Sequence, residues 1–350
     1  QRLRTAAYWA DPSSGFIPKL MNVLNNLSFA VIAGVGGIFA LNGMITIGVI
    51  VIFAEYARQF TRPLNELANQ YNTLLSAIAG AERVFQILDE EEEAKDEADA
   101  VEIDSVEGKV EFRHVSFSYE KGDQTLQDVS FTITPGETVA LVGPTGAGKT
   151  TITNLLSRFY ELNEGTIEID DQNIQTIKRK SLRQQMGFVL QDSFLFQGTI
   201  ADNIRYGRLD ADDEEVREAA KLANAHSFIK KMPEGYETLL RHDGSGISQG
   251  QKQLLSIARA ILSNPSILIL DEATSSIDTI TELKIQEALK RLMKGRTSVV
   301  VAHRLNTIRQ ADQILVLDQG KIIERGSHDE LLKQKGFYHG LYHSQLRESG

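Results

Sequence analysis

The stretch GPTGAGKT, Gly143 to Thr150, decides the fold. Three glycines stand beside a lysine and a threonine in eight positions. Glycine lets consecutive backbone N–H groups curl around phosphate oxygens, Lys149 adds a point charge, and Thr150 offers a hydroxyl to Mg²⁺. Such a loop needs a strand before it and a helix after it. ETVALV, Glu137 to Val142, is an apolar run suited to a buried strand. TITNLLSRFY, Thr151 to Tyr160, has helical spacing, which predicts Ile152, Leu155, Leu156 and Phe159 on one face. The helix start at Lys149 and Thr150 adds its dipole to the loop, so the segment reads as a phosphate cradle.

Composition narrows what surrounds that cradle. At 350 residues and 42% hydrophobic content the chain has room for two domains. The absence of cysteine excludes disulfides and thiolate metal sites, and the seven histidines are read as scattered, without a ligand-like pair. A net charge of −10 argues against a nucleic-acid partner, because phosphate backbones demand clustered Lys and Arg. Much of the negative charge is local. Asp89 to Asp99 holds eight acids and one lysine, a pattern expected of a solvated linker and a domain boundary.

Before that run the chain changes character. Leu20 to Ala54 contains no charged residue, and Asn42-Gly43 interrupts it near the middle. About twenty apolar residues cross a bilayer, so two membrane helices joined by a tight turn are expected, near residues 17–41 and 44–88, the second with a cytoplasmic extension. Glu55, Arg58 and Arg62 in the second need a wet or protein-lined face. Arg2, Arg4 and Lys19 precede the first helix and the turn is uncharged, which orients both ends to the cytoplasm. The apolar stretch is too long for a secretory signal peptide. With Gln at position 1 and too few helices to enclose a pathway, the chain reads as the C-terminal piece of a longer multi-pass protein.

Further motifs follow the acidic run. GKVEFRHVSFSY, Gly108 to Tyr119, alternates as a half-buried strand does, and Tyr119 is either a purine-stacking face or a strand-edge core residue. SILILDE, Ser266 to Glu272, reads as a buried parallel strand with two acids where open α/β sheets bind ligands. Asp271 is placed to hold Mg²⁺, and Glu272 to orient or deprotonate a water attacking a phosphoanhydride. ISQGQKQLLSIARAIL, Ile247 to Leu262, is a polar turn entering an amphipathic helix, a second phosphate-binding start that one nucleotide does not need from a single chain. A second copy of the domain, contributing this turn across an interface, resolves the excess.

Together these segments resemble an ATP-binding cassette exporter of the type IV, or ABC-B-like, class. The resemblance implies the last two transmembrane helices over residues 1–88, an acidic linker over 89–105, and an α/β P-loop nucleotide-binding domain over 106–350. It assigns Tyr119 to adenine stacking and Gly143, Pro144, Thr145, Gly146, Ala147, Gly148, Lys149, Thr150 and Thr151 to phosphate binding. Gln191, in VLQDSFLFQGTIADNI, matches the glutamine that touches Mg²⁺ and relays nucleotide state to the membrane helices. Asp271 and Thr150 complete the metal set, Glu272 matches the catalytic glutamate, Asp278 the D-loop aspartate, and His303 the switch histidine near the γ-phosphate.

One motif departs from the family. The signature L-S-G-G-Q stands here as Ile247-Ser248-Gln249-Gly250-Gln251, and the acid usual just upstream is replaced around Ser245. A side chain at Gln249 is expected to weaken contact with nucleotide held by the opposite subunit. Because the Asp271-Glu272 pair and His303 are intact, the chain is similar to the complete-site subunit of bacterial heterodimeric multidrug exporters. ARQFTRPLNELANQYN, Ala57 to Asn72, shares that similarity. The resemblance implies an ATPase of the plasma membrane, cytoplasmic nucleotide-binding domain included. Its cofactors are ATP and Mg²⁺; its partners are a second half-transporter, the lipid bilayer and a small-molecule substrate. A lipid or peptide exporter, a homodimer, a mainly ATP-binding regulatory half, and a soluble cassette ATPase remain the alternatives.

Overall fold

The computed structural model describes residues 23–90, 92–93, 95–119, 125–190, 193–241, 246–272, 277–302 and 305–348. The chain divides into two compact units, Gln1–Ala94 and Lys95–Gly350.

The described part of the first unit is mainly helical. Helix α1, Val23–Leu41, has a mean hydropathy of 1.7 and no buried residue. Gly43, at φ +69°, turns the chain, and its N–H donates to the Ala40 carbonyl. Helix α2, Ile47–Leu88, follows with Pro63 inside it. A Cβ on Gly36 of α1 would lie 3.0 Å from the Ile50 side chain of α2, so the missing methyl lets the helices approach closely there. Arg58 sets its guanidinium 5.3 Å from the centre of the Phe29 ring, which gives the cation an aromatic face. Among the described residues α1 alone is long and apolar enough to cross a membrane. The expected second crossing does not reach that standard over α2, where Glu55, Arg58 and Arg62 interrupt the apolar run.

The second unit is α/β. Its strands are β1 (Val110–Phe117), β2 (Leu126–Ile133), β3 (Thr138–Val142), β4 (Glu164–Ile169), β5 (Gln172–Asn173), β6 (Met186–Val189), β7 (Gly198–Thr199), β8 (Leu239–Leu240), β9 (Ile267–Glu272), β10 (Thr297–Ala302), β11 (Gln313–Asp318) and β12 (Lys321–Gly326). The main sheet runs β12-β11-β3-β10-β9-β6, parallel throughout except for the β12 edge. An antiparallel sheet runs β2-β1-β4-β5, and β7 pairs with β8.

Alternation along the central strands divides the core into two. Val139, Leu141, Ile267, Ile269, Val299 and Val301 face the antiparallel sheet, joining Phe112, Phe131 and Ile133 in one buried cluster. Ala140, Val142, Leu268, Leu270 and Val300 face the opposite way, into a cluster with Ile204, Ala219, Leu255, Ala258 and Ile285 from helices. Burial on both faces is why these strands read as unbroken apolar runs. The parallel register then brings the carboxyl ends of neighbouring strands level, where open α/β sheets present their ligand sites.

The acidic segment is less solvated than its charge suggests. The Asp96 carboxylate accepts from the Arg179 backbone N–H at 3.1 Å and guanidinium at 3.0 Å, and lies 3.4 Å from Arg158, whose side chain is 4% exposed. Val101 then bonds backbone to backbone with Thr176 and Lys178. Thus the segment from Asp96 onward is fastened to the second unit by a buried arginine that also donates to the carbonyls of Ile174 and Ile177.

Candidate functional site

The glycine loop leaves β3 and enters helix α3, Lys149–Leu156, through Gly148, its N-cap residue at φ +101°. Two of its glycines are required by space as well as backbone angle. A Cβ on Gly143 would sit 2.1 Å from the Leu317 carbonyl oxygen, and one on Gly148 would sit 2.6 Å from Leu126 Cδ2. Gly146, at φ +83°, would meet nothing within 4 Å. The loop is therefore wedged between β11 and β2 at its ends and open at its tip, where Pro144, Thr145 and Gly146 are exposed. Ile152, Leu155 and Leu156 anchor α3 in the core as expected. Phe159 does not join them: the helix stops at Leu156, and Phe159 lies beyond it, 51% exposed, beneath the Arg183 guanidinium.

Lys149 is 7% exposed, and its ammonium donates to the Gly143 carbonyl at 2.8 Å and the Pro144 carbonyl at 2.9 Å. The charge sits inside the curl of the loop. Burial pushes its pKa below the ordinary lysine value, and the nearby Asp271 carboxylate opposes that shift. Asp271 belongs to β9 and pairs in register with Val301 of β10, the strand between β9 and β3. Sheet order thus brings a cation, an anion, the exposed Thr150 and the glycine loop to one end of the sheet. Hard oxygen donors from a threonine and a carboxylate suit Mg²⁺ in kind.

Beside α3 stands an aromatic group. Tyr119, two residues past β1 and 46% exposed, packs edge-on against Phe117 and Tyr160, each ring centre 4.9 Å away. Its hydroxyl and that of Thr151 share a hydrogen bond of 3.2 Å, and the Asn154 amide approaches at 3.4 Å. Thr151 is buried and supports the tyrosine from α3. Tyr160 and Asn154 were not legible as part of this group, since no spacing rule connects them to Tyr119.

The second phosphate-binding start is helix α8 in chain order, after α4 (Arg179–Gln184), α5 (Ile200–Arg205), α6 (Asp213–Leu222) and α7 (His226–Ile229); α8 spans Gln249–Ser263. Ser248 caps it, accepting from the Gln251 N–H, while the Gln251 side chain accepts from the Ser248 N–H at 2.9 Å. Gly250 is buried, and a Cβ there would sit 2.4 Å from Thr281 Cγ2 in helix α9, Thr279–Met293. Gln249 is exposed at the first position of α8. The two positions therefore differ: glycine at 250 is demanded by packing inside this chain, whereas the side chain at 249 projects from the surface. Asp278 caps α9, accepting from the Thr281 N–H at 3.0 Å, and that bond holds its carboxyl below the usual range.

Gln191, His303 and Ser245 lie outside the described residues; for Glu272 the backbone is described, paired with Ala302 at the ends of β9 and β10. The structure brings the glycine loop, Thr150, Asp271 and the Tyr119 group to one end of the sheet.

These features define a P-loop nucleotide-binding α/β domain. Residues 126–275 match the ABC transporter family. Over 346 residues the chain is 67% identical to the uncharacterized ABC transporter ATP-binding protein YfiC of Bacillus subtilis, covering 99% of this chain and 57% of that protein. It is 49% identical to a fatty acid ABC transporter ATP-binding/permease protein of Mycobacterium bovis, covering 96% of this chain and 53% of the relative. A solved bacterial Atm1-family ABC exporter with ATP bound superposes with a TM-score of 0.70 at 38% identity, over 98% of this chain and 60% of that one. Residues 126–275 belong to the ABC transporter family, and the chain spans a little over half the length of these relatives.

Proposed function

We propose that this chain is the C-terminal half of an ABC exporter subunit that couples ATP hydrolysis to export of small lipophilic molecules. The observation that carries this reading is the wedged glycine loop with Lys149 folded into it and Asp271 beside it, in a chain that also holds an apolar helix of membrane-crossing length. The name of one relative, the fatty acid ABC transporter ATP-binding/permease protein of Mycobacterium bovis, favours a lipophilic cargo.

In this account residues 1–88 close a transmembrane domain, α1 and the start of α2 are its last two crossings, and residues 106–350 form the cytoplasmic nucleotide-binding domain. Adenine stacks on Tyr119, and loop amides of Gly143 to Thr150 with the Lys149 ammonium hold the phosphates. Lys149 exchanges two backbone carbonyls for phosphate oxygens, so its charge stays partnered in both states. Thr150 and Asp271, with Gln191, would hold Mg²⁺, which supplies charge neutralisation on the phosphates. Glu272 orients the attacking water and accepts its proton, and His303 faces the terminal phosphate.

Two domains clamp the nucleotide, the Ser248 to Gln251 turn and Asp278 of each lying against nucleotide held by the other. ATP biases the closed clamp only through tighter binding to it than to the open one. Gln249, exposed where the family carries glycine, weakens this chain's contribution to the partner's site and leaves its own complete. That asymmetry favours a heterodimer with a second half-transporter. The test is purification of the full-length protein with its genomic neighbour, followed by ATPase assay in lipid vesicles with and without fatty acids and cationic drugs. Stimulation by lipophilic compounds supports the reading; a detergent-free soluble protein with unstimulated ATPase contradicts it.

A further inference from the structure

The sequence reading leaves the histidines scattered, yet the fold brings two of them together. His339 and His343 lie four residues apart on the C-terminal helix of the chain, Phe337–Glu348. Residues at i and i+4 share one helix face, and here the two Nε2 atoms are 3.1 Å apart, with ring centres at 4.3 Å. Two imidazole nitrogens bound to one ion, each at about 2.0–2.1 Å, stand roughly 3–3.4 Å apart for angles between square and tetrahedral. The observed separation falls in that interval before any ion arrives.

The helix that carries the pair is firmly seated. Tyr338 is 1% exposed, its hydroxyl bonds His328 Nδ1 at 2.7 Å, and its N–H donates to the Glu324 carboxylate at 2.9 Å. His339 is half-buried and His343 exposed, so an ion reaches both from solvent and keeps open positions for water. We propose that His339 and His343 form a two-histidine site for a borderline divalent transition-metal ion such as Zn²⁺, Ni²⁺ or Cu²⁺, separate from the nucleotide site. Imidazole donors select these ions over Mg²⁺ and Ca²⁺, which prefer oxygen. On binding, the ring that donates the shared Nε2 proton carries it on Nδ1 instead, leaving both Nε2 lone pairs for the ion. Because the two nitrogens converge only in a helix, bound metal stabilises the helical form of this segment by linkage.

The test is calorimetric titration of the metal-free, nucleotide-free full chain with zinc chloride alone. Moving one ligand without changing composition, by His343→Ser together with Ser344→His, places it off the shared face. That variant is expected to lose one zinc equivalent, and His339→Gln to weaken it at least about tenfold. Zinc should also slow amide exchange over Phe337–Glu348 in the wild type but not in the variants. The carboxylate group Glu111, Glu168 and Asp171 can take up zinc as well, so only the difference between the proteins counts. Identical isotherms for wild type and the moved-ligand variant, or unchanged exchange in that helix, overturn the proposal.

Discussion

Gly143 and Gly146 share one loop and one residue type, yet the structure assigns them different costs on substitution. An alanine methyl at Gly143 would overlap the Leu317 carbonyl oxygen, 2.1 Å away, while one at Gly146 would meet nothing within 4 Å. Both carry a positive φ, +155° and +83°. Backbone strain for a residue with a Cβ in that region is about 1–2 kcal/mol. At Gly143 a forced fit against backbone adds roughly 1–3 kcal/mol, since β11, which carries Leu317, is hydrogen-bonded to β3 and cannot yield. For a domain of this size 1 kcal/mol corresponds to about 2–4 °C in Tm. Gly146→Ala should therefore lower Tm by about 2–8 °C, and Gly143→Ala by roughly 4–20 °C, in calorimetric unfolding of the nucleotide-free chain. An equal or larger shift for Gly146→Ala would refute the wedge.

Three further outcomes follow from the same geometry. Lys149→Met should abolish ATP binding in equilibrium titration; it should also stabilise the nucleotide-free protein, by a margin that shrinks as pH rises toward 10.5. The sign is set by linkage: a lysine whose pKa is depressed by burial binds fewer protons folded than unfolded, so wild-type stability rises with pH while the variant lacks that slope. Tyr119→Ala should weaken ATP binding by the equivalent of about 1–3 kcal/mol, and Tyr119→Phe, which keeps the ring and loses only the hydroxyl's bonds to Thr151 and Asn154, by much less. Asp96→Ala should lower the Tm of the second unit by several degrees through roughly 2 kcal/mol lost at the Arg158 and Arg179 contacts, without changing ATP affinity.

The parts of this fold that were legible in advance share a physical cause. The glycine loop, its flanking strand and helix, and the SILILDE strand are local patterns whose geometry is imposed by neighbouring residues along the chain. What escaped depends on distant contacts. Phe159 fits a helical face by spacing, but the helix ends three residues earlier. Asp96 sits in a run of acids that suggests solvation, and only Arg158 and Arg179, distant along the chain, show why it is held. The four-residue interval between His339 and His343 was readable; that both lie on a helix, with their nitrogens converging, required the fold.

The central claim is that ATP bound at the Lys149 loop is hydrolysed by water aligned on Glu272. The direct measurement is ATP affinity and single-turnover hydrolysis for Glu272→Gln in the assembled transporter. Affinity within about twofold of wild type with turnover reduced at least about a hundredfold is the predicted result. Hydrolysis at the wild-type rate would contradict it.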